Sequence, residues 1–137
     1  MGFEEVEHTA DEALRVFGTN LAELFLSAAA GLTHLMAVDV SEISTEIEKS
    51  IELNAIDAES LLVEWLGELA YWAESEMLIF KKFRIQKATA THLQAQIFGG
   101  KTSMLEKHIK AVTYHNLKII KTSEGLEATI VFDVYLY

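Results

Sequence analysis

Apolar residues recur at helical spacing in only two stretches of this chain, and that limits its possible folds more than any other feature. In the first stretch Leu21, Leu24, Phe25, Ala28, Leu32, Leu35 and Met36 line one helical face. Asn20 stands at the N-cap position, and Glu23 supplies the reciprocal half of a capping box. In the second stretch Leu61, Leu62, Trp65, Leu66, Leu69, Trp72 and Ala73 form the stripe. Asp57 caps it, Glu59 suits the positive end of the helix dipole, and Glu64, Glu68 and Glu74 mark the wet side.

Elsewhere the pattern shortens to the period of a strand. Ala13–Phe17 leads into the first helix, and Glu46–Leu53 carries Ile47, Ile51 and Leu53 on one face. Ile79–Lys87 and His92–Phe98 pair as a hairpin across Ala88–Thr91. Leu117–Lys121 and Glu127–Tyr135 pair across Thr122–Leu126, where Glu124-Gly125 suits a tight reversal. In the last strand Ala128, Ile130, Phe132, Val134 and Leu136 share a face, with Thr129, Asp133 and Tyr135 opposite. The expected fold class is α+β, two amphipathic helices packed on a largely antiparallel sheet. Without proline, and with seven scattered glycines, no linker divides residues 1–137, so a single domain is expected.

Composition removes several functions. No cysteine is present, which excludes disulfides and thiolate metal sites and suits a reducing cytoplasm, the expected location. A formal net charge of −10 disfavours direct nucleic-acid binding and an anionic membrane surface. The longest stretch without a formal charge, Leu24–Val38, is too short to span a bilayer of about 30 Å. Met1–Glu7 lacks the basic and apolar pattern of a signal peptide.

Few residues suggest chemistry. Gly99-Gly100-Lys101-Thr102 resembles the end of a phosphate-binding loop, but Ala95 stands where the first glycine is needed, so the segment reads as a loop after a strand. No His-Glu-x-x-His pair and no Gly-x-Ser-x-Gly elbow occurs. His34 reads as a packing or dipole residue and His92 as a strand-end residue; His8 and His115 sit in polar, turn-prone settings. Asp11 falls at a turn before a strand, and Asp133 interrupts an apolar strand. A carboxylate there must be solvated, paired or bound to a cation. The two lie far apart in the chain, so pattern alone leaves open a shared metal site or two unrelated surface residues.

Five segments taken in order resemble the archease family. Glu7-His8-Thr9-Ala10-Asp11 is similar to its opening signature. Phe17-Gly18 and Ala28-Ala29-Ala30-Gly31-Leu32 continue the likeness. Leu61-Leu62-Val63-Glu64-Trp65-Leu66-Gly67-Glu68-Leu69, Lys110-Ala111-Val112-Thr113-Tyr114-His115 and Val131-Phe132-Asp133-Val134 complete it. The resemblance implies a non-enzyme that activates an RtcB-type RNA ligase of tRNA splicing, promoting guanylylation of the ligase and multiple turnover.

It further implies a divalent-cation site, calcium in the family, held by Asp11, Asp133 and the backbone oxygen of Val134. His8, Lys110, Thr113, Tyr114 and His115 would then face the ligase, with Glu4, Glu5 and Glu7 adding negative surface. Glu12 departs from the aliphatic residue common after the opening aspartate. Two other functions fit less of the pattern: a chaperone-like modulator of another tRNA-processing enzyme, such as a methyltransferase, and a small metal-dependent enzyme using Asp11, Asp133 and His115.

Overall fold

Both helices form where apolar spacing and capping residues coincide. Helix α1 spans Leu21–Met36 and α2 spans Ala58–Glu76 in the computed structural model, which describes residues 1–8 and 11–135, the side chains of residues 7 and 8 excepted. The Asn20 and Asp57 side chains accept from the backbone N–H groups of Glu23 and Ser60, as N-caps do. The box on α1 closes one residue early. The Glu23 carboxylate accepts from the Thr19 N–H and hydroxyl, both at 2.9 Å, rather than reaching Asn20. Those bonds to its charged form lower the Glu23 pKa; the Ser60 N–H does the same for Asp57.

The described strands are β1 (Gly2–His8), β2 (Asp11–Gly18), β3 (Ile47–Asn54), β4 (Leu78–Ala88), β5 (His92–Lys101), β6 (Ile109–Val112), β7 (Ile120–Thr122) and β8 (Gly125–Val134). They form two antiparallel sheets. One has the order β1-β2-β8-β6, with β7 also on β8; the other has the order β3-β5-β4. Both expected hairpins are present, β4 with β5 and β7 with β8. The second is shorter than its apolar run, because residues 117–119 leave the sheet. Leu117 turns into the core, and the Ile119 N–H donates to the Glu59 carboxylate at 3.0 Å. Gly125 closes the turn at φ 134°, a conformation that suits glycine. β1 and β6 have no counterpart in the periodicity.

The helices fill the space between the sheets, and buried hydrogen bonds fix their placement. Thr33 of α1 donates to the Phe80 carbonyl of β4 at 2.6 Å, and Trp65 of α2 donates to the Phe25 carbonyl of α1 at 2.9 Å. Trp65, fully buried, also meets the Phe83 ring edge-on at 5.9 Å between centroids. The Gly99-Gly100 segment lies inside β5 rather than in a loop. A Cβ on Gly99 would stand 2.0 Å from the Ile79 carbonyl oxygen, and Lys101 donates to the Glu76 carbonyl at the end of α2. These residues serve packing and capping. No helix is long and apolar enough to cross a membrane among the described residues.

Candidate functional site

β2 pairs with β8 from Gly18↔Leu126 to Glu12↔Phe132, and continuing that register by one residue places Asp11 across from Asp133. Both belong to the row of Ala13, Val131 and Arg15, on the face opposite core residues Leu14, Ile130 and Phe132. Asp133 is exposed and Asp11 half-buried. Like charges directly opposite one another in an antiparallel pair repel.

The backbone adds a further oxygen donor. Tyr135 donates its N–H to the His108 carbonyl on the β6 side at 2.9 Å. Alternation along a strand then turns the N–H and C=O of Val134 toward the β2 side. Asp11, Asp133 and the Val134 carbonyl offer oxygen donors of the kind that calcium and magnesium take. Among the described residues no group of three or more His, Asp or Glu side chains gathers as a metal site.

On the other side of β8, Ala111 pairs with Asp133, and exposed Lys110 precedes it where the register shifts. The Lys110 ammonium stands 6.0 Å from the centre of the Tyr135 ring. Thr113 follows and donates its N–H to the Val131 carbonyl; its hydroxyl accepts from the His115 N–H. Tyr114 and His115 are exposed in the turn after β6, farther from Asp133 in register than Lys110. The His8 side chain, Thr9, Ala10, Leu136 and Tyr137 lie outside the described residues. The supposed negative surface of β1 is largely engaged. Glu4 pairs with Arg15, and Glu5 lies 3.6 Å from His34.

A supporting layer at this end of the sheet had no signature in the pattern. Glu12 points inward and pairs with Lys107 at 2.9 Å, raising the lysine pKa above its ordinary value. Glu74 of α2 meets His108 at 3.1 Å, and Glu106 donates its N–H to the Met36 carbonyl at the end of α1. The segment before β6 is therefore tied to both helices and to β2. The departure of Glu12 from the aliphatic residue expected there was the only hint.

The sequence pattern of the Archease protein family matches residues 3–134. The chain is 35% identical to a Methanosarcina barkeri protein named archease, covering 96% of this chain and 95% of that one. It is 37% identical to a Pyrococcus furiosus protein of the same name, covering 90% and 91%. The fold is similar to the solution structure of a Methanobacterium thermoautotrophicum protein, with a TM-score of 0.77, 29% identity, and coverage of 96% and 98%. It is also similar to a Thermotoga maritima crystal structure described as an archease and possible chaperone, with a TM-score of 0.62, 23% identity, and 95% of each chain covered.

Proposed function

This chain belongs to the archease family, and on that footing we propose that it activates an RtcB-type RNA ligase without catalysing a reaction itself. The observation that supports it is the antiparallel pairing of β2 with β8, whose register, continued by one residue, brings Asp11 across from Asp133. In this reading Asp11, Asp133 and the Val134 carbonyl hold a divalent cation, calcium by preference. The cation neutralises the facing carboxylates and offers open coordination positions to ligase groups. Lys110, Thr113, Tyr114 and His115, with His8, make the docking face around it. Glu12, Lys107, Glu74 and His108 position that face by holding the preceding segment in place.

The test is guanylylation of the cognate ligase with GTP and substoichiometric amounts of this protein. Wild type should accelerate it over several turnovers, and Asp11→Asn or Asp133→Asn should reduce the acceleration, because each removes one of the two charged ligands of the cation. Nucleotide or RNA turnover by this chain without the ligase would overturn the non-enzyme reading. Full activation by the Asp133→Asn protein would overturn the role of the cation.

A further inference from the structure

The chain has a net charge of −10, and its basic residues are unevenly spread. Lys81, Lys82, Arg84 and Lys87 of β4 are four of its eleven basic residues, and β4 contains no carboxylate. β4 is an edge strand of the three-stranded sheet. The helices occupy that sheet's other face, where Leu93, Ala95 and Ile97 are buried. Register sorts the outer face into tiers. Lys82 pairs with Phe98, Arg84 with Gln96, and after a bulge Lys87 with Gln94. On the far side of β5 the same three residues meet Glu48, Ser50 and Glu52.

The outer face therefore has three lanes: cations on β4, uncharged groups on β5, and mostly acidic or hydroxyl groups on β3. Lys82, Arg84 and Lys87 are all exposed, and none has a carboxylate partner among the described residues. Lys82 and Arg84 instead lie over the Phe98 ring, at 5.2 and 5.5 Å from its centre. The Gln94 and Gln96 amides make no hydrogen bond among the described residues, which leaves donors and acceptors available on the surface. Lysines on an edge strand also discourage pairing with other sheets. That accounts for cations at the edge, but not for the aromatic and amide lane beside them.

We propose that this face is a weak binding track for single-stranded nucleic acid. Phosphates run along Lys82, Arg84 and Lys87, and bases lie over Phe98, Gln96 and Gln94. Aromatic rings and amides beside a cationic row are the general means of holding unpaired bases. An acidic peptide would satisfy the cations but leave the amide lane unused. A duplex would carry a second row of phosphates toward Glu48 and Glu52. The net charge disfavours a strong autonomous binder, but at 0.1 M salt fields fade over about 10 Å, so a local face acts separately from distant carboxylates. This inference goes beyond ligase activation and does not depend on it.

The experiment is fluorescence anisotropy of a labelled twelve-nucleotide oligouridylate with the full chain. Three phosphate contacts on a single strand give a slope of log affinity against log salt of about −2, so raising salt from 0.1 to 0.4 M should weaken binding about twentyfold. The Lys82→Gln/Arg84→Gln double variant should reduce that slope to about −0.7, and Lys87→Gln alone to about −1.4. A Lys118→Gln/Lys121→Gln control removes the same charge from β7 and the segment before it and should retain wild-type binding. A duplex of equal length should bind at least several-fold more weakly. Overturning results are no binding at 0.1 M salt, equal loss in the control, a duplex or poly-glutamate bound as tightly as the oligouridylate, or unchanged slopes in both β4 variants.

Discussion

The three-stranded sheet is assembled entirely from chain between Ile47 and Lys101, whereas the five-stranded sheet joins strands from both extremities. The first has a local hairpin at its heart and an outward face of mixed charge. The second brings together residues that no short-range rule connects, and the proposed cation site lies at its end. Local contacts specify a frame cheaply in conformational entropy; the second sheet forms only when the chain closes on itself over its full length. The helices pack against both sheets, so disturbing each sheet in turn shows how far they depend on one another.

The largest expected effect comes from the tie between them. Trp65→Ala removes a fully buried ring that touches Phe83 and donates to the Phe25 carbonyl, and should cost about 3–5 kcal/mol in urea denaturation. Both sheets should be lost in one transition; two separated transitions would show that they fold independently. Gly99→Ala attacks the three-stranded sheet alone. Its Cβ would meet Ile79 and Phe80 backbone atoms, and the expected loss is about 1–3 kcal/mol. A midpoint equal to that of wild type would mean that β4 and β5 approach less closely than described.

Acid titration should give a smaller change. The Glu23 and Asp57 pKa values are lowered by backbone N–H groups in the folded state. Their contribution is therefore present above the ordinary carboxylate pKa and lost as pH falls through the lowered values. Asp57→Asn should flatten the fall in the thermal midpoint below about pH 4, a region set by the ordinary aspartate value. An unchanged profile would exclude this cap as a source of acid sensitivity.

The legible parts of the sequence follow the same division. Helix caps and the β4–β5 hairpin are local, so spacing and turn residues revealed them. β1 was invisible because Glu4, Glu5 and Glu7 around Phe3 and Val6 break any alternation. β6 is four residues long, too short to show a period. The Glu12–Lys107 and Glu74–His108 pairs join segments far apart in the chain and leave no trace in spacing. Asp11 and Asp133 could be named as unusual from their settings and linked by resemblance, but their juxtaposition depends on the register of β2 against β8.

That juxtaposition has the smallest energetic effect in the metal-free protein and the clearest sign. Facing carboxylates cost about 0.2–1 kcal/mol in an antiparallel pair, so without divalent cations Asp133→Asn should match or slightly exceed wild type in thermal stability. The measurement is the thermal midpoint of wild type and Asp133→Asn, each in chelator and in millimolar calcium. The carboxylate pair predicts a rise with calcium in wild type, little or none in the variant, and so a reversed order of stability. Equal shifts in both proteins, or none in either, would contradict the claim that residues from the two extremities of the chain jointly hold a cation.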